Sequence, residues 1–131
     1  MNLHEYQGKQ LLEKFNVCIQ KGYVANTPEE AVECAKNLSN ETGTKIFVIK
    51  AQIHAGGRGK GGGVKIAKSL EDVKRISSEI IGMNLITPQT SAEGKLVRKV
   101  LVAEDVYYDG DSDRKEFYIS VLLNRSSSKN M

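Results

Sequence analysis

The chain has 131 residues, 40% hydrophobic and 27% charged, with 19 Lys and Arg against 16 Asp and Glu for a net charge of +3. That composition supports a packed core, in one ordinary domain or in one small lobe plus part of another. The charge is too mild, with acids interspersed along most of the chain, to mark a nucleic-acid surface, and no apolar run exceeds four residues, which excludes a membrane-spanning helix.

In chain order, Met1-Asn2-Leu3-His4-Glu5 lacks the charged and apolar regions of a signal peptide. A first helix is predicted over residues 3–15, capped by Asn2, with Glu5 at the third helical position and Leu11, Leu12 and Phe15 on one side. Cys18 and Cys34 have neither Cys-x-x-Cys spacing nor companion histidines placed to hold a metal, so they read as reduced thiols of a cytosolic protein. A short strand follows near residues 22–24. Thr27-Pro28-Glu29-Glu30 then opens a second helix through Ala31, Val32, Ala35 and Leu38, ending near Gly43. Ile46-Phe47-Val48-Ile49 is a continuous apolar run, as a strand covered on both faces requires, and Lys50 and Gln52 end it.

The next segment carries the chemistry. Six glycines fall among the eight residues from Gly56 to Gly63, broken only by Arg58 and Lys60. Glycine lets a backbone approach a polyanion closely enough to aim amide N–H groups at its oxygens, and the two cations supply charge. Gly57-Arg58-Gly59-Lys60-Gly61-Gly62 formally satisfies G-x-G-x-x-G, but that fingerprint must open a helix, and the alternating Val64-Lys65-Ile66-Ala67-Lys68 is a strand signal. The P-loop pattern fails because Lys60 is followed by Gly61 rather than Ser or Thr. A strand, glycine flap, strand unit remains, lying over phosphates with Lys50 at its mouth; the plainer reading is a solvated hairpin with incidental charges. As a phosphate flap, residues 55–63 are expected to be mobile when free and ordered by a nucleotide.

Ser69 with Asp72 opens a third helix whose Leu70, Val73, Ile76, Ile80 and Ile81 form one stripe, and Gly82 stops it. Residues 97–102 and 116–123 read as strands, with an acidic, turn-rich stretch over 107–113 between them. Arg125 to Met131 reads as a hairpin turn whose second strand never arrives, so the sheet looks unfinished and the chain is expected to be a piece of something longer. Interleaved strands and helices predict an α/β architecture with helices packed on a sheet.

Met1-Asn2-Leu3-His4-Glu5-Tyr6-Gln7, the block from Val48 through Lys50-Ala51-Gln52-Ile53-His54-Ala55 to Lys60, and Lys115-Glu116-Phe117-Tyr118 together resemble, in order, the start of the succinyl-CoA synthetase β-subunit family. ATP-citrate lyase and malate–CoA ligase share this architecture. The resemblance implies an ATP-grasp fold of α/β (α+β) class, two lobes clasping a nucleotide. Residues 21–102 would form the smaller lobe, residues 1–20 a helix packing with the larger one, and residues 103–131 the hinge and the incomplete start of that larger lobe. It further implies an ATP- (or GTP-) dependent interconversion of succinate and CoA with succinyl-CoA, in a heterodimer or heterotetramer with an α subunit whose histidine carries the phosphoryl group. A bacterial cytoplasmic enzyme of the tricarboxylic acid cycle is implied, with no nucleic-acid or membrane partner.

Carried over by position, the resemblance gives Lys50 to the nucleotide phosphates and Gly57, Arg58 and Gly59 to the loop over them. The hinge over 102–106 would read the adenine edge through Ala103 or Glu104 and Val106, and Glu116 matches a family glutamate at the nucleotide. The stretch from Tyr107 to Arg114 looks longer than the family pattern. The magnesium ligands of the family fall beyond residue 131, so no catalytic or metal residue is assigned, and the chain alone is expected to be inactive. A reading of another class, a non-catalytic module gripping nucleic-acid phosphates, is opposed by the absence of aromatic residues in the flap, since base stacking normally accompanies single-strand binding.

Overall fold

The computed structural model describes residues 3–107 and 113–131; the cap expected at Asn2 and most of the acidic stretch lie outside them. A four-stranded antiparallel sheet has the order β1-β6-β2-β3, built from β1 (Gly22–Ala25), β2 (Phe47–Ala51), β3 (Val64–Ala67) and β6 (Val100–Glu104). On one face lie α2 (Pro28–Thr42), against β1 and β6, and α3 (Leu70–Ile80), against β2 and β3, the two helices also packing on each other.

The two helices begin and end where their sequences direct. Thr27 accepts the Glu30 amide at 3.1 Å and Gly43 closes α2 at φ 74°. Ser69 accepts the Asp72 amide at 3.1 Å, and past the C-cap Ile81 the chain turns at Gly82 with φ 91°. Ala31, Ala35 and Leu38 of α2 and Val73, Ile76 and Ile80 of α3 join Phe47, Ile49, Ala51, Val100 and Val102 in one buried core. That side of the sheet holds the alternate residues of β2, whereas Val48 and Lys50 face away and are only half-buried.

On the away face, Tyr6, Lys9 and Gln10 of α1 (Glu5–Lys14) line a cavity of about 320 Å³ with Leu101 of β6, the residue paired with Lys50. The first helix thus starts later than its sequence suggests. His4 is its N-cap, and the Gln7 side chain, not that of Glu5, accepts the His4 amide at 2.9 Å. Glu5 is drawn elsewhere by cations. None of the residues of α1 is buried, and Leu11, Leu12 and Phe15 are exposed.

Two further differences concern strands. A small hairpin, β4 (Asn84–Leu85) with β5 (Lys95–Leu96), intervenes before β6, which runs to Glu104 rather than ending at 102. The strand expected over 116–123 does not form: within 113–131 the ladder is β7 (Leu123–Asn124) with β8 (Lys129–Asn130). An extended run needs a neighbour for its backbone groups. Here the neighbour is the chain itself, folding back through a turn in which Asn124 Oδ1 accepts the Ser126 amide at 3.0 Å. The second strand of that hairpin therefore does arrive, while Phe117, Tyr118 and Ile119 are exposed.

Candidate functional site

Twelve residues, 52–63, join β2 to β3, and they fold down rather than project. The Ala51 amide donates to Gly63 O at 2.7 Å and the Gly63 amide to Arg58 O at 2.8 Å, closing the loop at its base. Its two ends dock on the turn between β4 and β5: the Gly56 amide donates to Gln89 Oε1 at 2.7 Å, and Gly61 lies so near the Ile86 carbonyl that a Cβ there would collide with it. Gly57, at φ 72° beneath the Pro88 ring, is equally constrained. Much of the glycine run is thus explained by docking against a hairpin.

The tip is different. Nothing lies within 4 Å of a Cβ built at Gly59. Among the described residues, the amides of Gly57, Arg58 and Gly59 meet no hydrogen-bond acceptor. Three consecutive uncommitted N–H groups suit an anion. They line a cleft of about 520 Å³ together with Glu5, His54, Val64 and Gln89.

Lys50 and Arg58 converge beside this cleft. Lys50 Nζ stands 3.1 Å from Glu5 Oε1 and donates to Gln20 Oε1 at 2.8 Å; Arg58 donates through Nη2 to Glu5 Oε2 at 2.7 Å and through Nη1 to Ala51 O at 2.7 Å. Lys9 joins from α1, at 3.5 Å from Glu5 and 2.9 Å from Gln20 Oε1. Glu5, Lys50 and Arg58 are 21%, 17% and 20% exposed, so these pairs are partly desolvated. Burial alone would raise the Glu5 carboxyl, but Lys50 and Arg58 outweigh it and hold it at about 2. Burial, and then Lys50, push the Lys9 ammonium down. Three cations thus face one carboxylate, a surplus of two positive charges.

Beneath them, buried Gln52 accepts the Tyr6 amide at 3.3 Å and reaches Glu5 Oε2 at 3.4 Å. His4 stacks on His54 with ring centroids 3.9 Å apart, and its imidazole is held below its usual value by burial and then by His54, Lys99 and Arg58. Neither ring touches the Lys50 and Arg58 network through a hydrogen bond among the described residues.

The structure gathers some of the sequence-derived residues and separates others. Gly57, Arg58 and Gly59 line one cleft with Glu5, and Lys50 is joined to it through the Glu5 carboxylate that also holds Arg58. Glu104 is tied to it through Gln20, whose Nε2 donates to Glu104 O at 2.5 Å while its Oε1 receives Lys50. Ala103, however, is fully buried with ladder partners Gly22 and Val48 on its two sides, so its backbone groups are spent within the sheet. Glu104 donates its amide to Lys21 O and its Oε1 accepts the Lys21 amide. The Asp105 amide still bonds Ile46 O, and Val106 is the first of these positions whose amide has no acceptor among the described residues. Glu116 is exposed in an irregular segment.

Sequence reasoning missed Glu5, Lys9, Gln20, Gln52 and Gln89. Glu5 and Lys9 are one helical turn apart on α1, and that spacing was the available signal. The other three depend on tertiary placement. No three His, Cys, Asp or Glu side chains among the described residues group as ion ligands, and the nearest carboxylate, Glu5, is taken up by cations. No helix among them is long and apolar enough to cross a membrane.

The sequence pattern of the ATP-grasp domain matches residues 2–131. Over all 131 residues the chain is 68% identical to the succinate–CoA ligase [ADP-forming] subunit beta of Flavobacterium psychrophilum and 65% identical to that of Christiangramia forsetii, in each case covering 33% of the relative. Identity to the Bacillus subtilis protein of the same name is 50% over 129 residues, 98% of this chain and 31% of that one. The chain spans about a third of the length of the curated relatives it matches.

Proposed function

Since this chain belongs to the ATP-grasp domain family, we propose that it is the nucleotide-binding front of a succinate–CoA ligase β subunit, acting in the ATP-dependent interconversion of succinate and CoA with succinyl-CoA, ADP and phosphate. The observation that carries this reading is the convergence of Lys50 and Arg58 on Glu5, which lines the same cleft as the uncommitted amides of Gly57, Arg58 and Gly59. The names of its relatives favour succinate and adenine nucleotides over the related acid–CoA ligases.

In this reading the Lys50 ammonium and the Arg58 guanidinium take the nucleotide phosphates, and the amides at the flap tip take their oxygens. Phosphoryl transfer asks mainly for positioning and charge neutralisation, which are what these groups supply. Val106 is the best placed of the hinge candidates to offer backbone groups to an adenine edge, with Ala103 and Glu104 supporting it from within β6. Glu116 would join only through the part of the site contributed by the larger lobe. The proposed division is 1–20, 21–102 and 103–131. An α subunit supplies the phosphohistidine, so His4 and His54 receive no such role. Magnesium neutralises phosphate charge when bound, through ligands outside the described residues. A bacterial cytoplasmic setting accompanies this reading.

Lys50→Ala in the intact protein is the test. It is expected to cost about 2–4 kcal/mol of transition-state stabilisation in nucleotide-dependent phosphorylation, far more than it weakens folding as read by the thermal midpoint. Unchanged turnover overturns the assignment.

A further inference from the structure

We infer that Glu5 is a positioning residue for the phosphate site, a carboxylate on a separate element that holds the Lys50 ammonium and the Arg58 guanidinium ready for an incoming polyphosphate. This rests on the nucleotide reading above. It adds a helix that the flap motif does not include.

The geometry joins three segments at one group. Oε1 of Glu5 faces Lys50 at 3.1 Å and Oε2 faces Arg58 at 2.7 Å, so the two cations are spaced by the two oxygens of a single carboxylate, much as two oxygens of one phosphate would space them. Lys50 reaches from β2 on a flexible stem. Arg58 stands between Gly57 and Gly59, which have no side chains to buttress it. Left alone, both side chains would lose rotamer freedom on binding an anion, and fixing them beforehand removes that cost. Gln20 holds Lys50 from a second direction at 2.8 Å, and Ala51 O holds Arg58 at 2.7 Å.

Charge decides between a support and a competitor. With Lys9, Lys50 and Arg58 around one carboxylate, Glu5 cannot neutralise the cluster, so a phosphate adds to it instead of having to displace Glu5. Nor is Glu5 there to fasten a core, because α1 buries none of its residues.

The experiment is a double-mutant cycle in the intact protein, reading affinity for a non-hydrolysable ATP analogue by calorimetry. Glu5→Gln keeps the shape and removes the charge; it is expected to weaken binding about tenfold, and to weaken it no further in a Lys50→Met, Arg58→Met background. Unchanged or tighter binding in Glu5→Gln overturns the inference, since Glu5 would then be idle or a competitor. An equal loss in both backgrounds also overturns it, because a purely structural effect does not depend on the two cations. Should Glu5→Gln fail to fold, Glu5→Asp replaces it, with a smaller loss expected that again vanishes in the double background; persistence of the loss there overturns the inference. If the Lys50→Met, Arg58→Met protein itself binds normally, the nucleotide reading has failed. If it binds poorly while Glu5→Gln binds normally, only the role of Glu5 has failed.

Discussion

Helices α3 and α1 are of similar length and are fastened to the same sheet by opposite means. Val73, Ile76 and Ile80 of α3 are buried against β2, β3 and α2, an attachment insensitive to salt and pH. Residues of α1 are nowhere buried, and polar contacts hold it: Glu5 to Lys50 and Arg58, Tyr6 to Gln52, Lys9 to Gln20. An apolar attachment does one thing. An ionic one made from the cations proposed to take phosphate joins the helix to that site, so a change in α1 at Glu5 reaches Lys50 and Arg58 directly.

The largest effect that sharpens this contrast comes from α3. Ile80→Ala is expected to lower unfolding free energy by about 2–5 kcal/mol, through lost burial and a residual cavity, while the affinity of the remaining folded protein for nucleotide stays unchanged. Urea denaturation with parallel calorimetry measures both, and a large affinity loss would break the separation between core and site.

A smaller effect divides the flap in the same manner. Gly61→Ala should destabilise by about 1–3 kcal/mol, because the methyl meets the Ile86 carbonyl, whereas Gly59→Ala has open space and should leave stability within about 0.5 kcal/mol. Equal thermal midpoints for the two variants would show that the flap base is not docked on the β4–β5 turn as described.

The last contrast concerns pH. Glu5 has its carboxyl lowered from 4.5 to about 2, so its stabilisation is complete above pH 4.5 and is lost as pH falls toward about 2. The difference in midpoint between the parent protein and Glu5→Gln should be flat from neutral pH down to 4.5 and shrink below it. The deficit of Ile80→Ala should show no such step. A constant difference for Glu5→Gln across the acid range would mean that the ion pairs do not fasten α1.

What the sequence made legible follows from which signals are local. Thr27-Pro28, Gly43 and Ser69 mark helix ends by hydrogen bonds made within a few residues, and the structure places those ends there. The flap was legible because glycine and two cations sit side by side. Its second purpose was not: Gly61 is small because of Ile86, twenty-five positions later by number, and no local pattern encodes that approach. Glu5 was assigned to a capping box because Glu at that place often serves so, but two cations from distant segments claimed it. The strand over 116–123 shows the reverse error, a run rich in aromatic and β-branched residues without a neighbouring strand to pair with it.

The position of β6 sets an order of events for synthesis. Its partners β1 and β2 flank it in space but precede it in the chain by two helices, the flap and a hairpin. Until residues 100–104 have left the ribosome, β1 has no ladder and β2 has only β3, so the nascent chain carries an open gap at the centre of its sheet. Such distant pairing makes folding slow relative to helix formation. Translational pauses placed before residue 100 would prolong a species with exposed strand edges, and pauses placed after it would not.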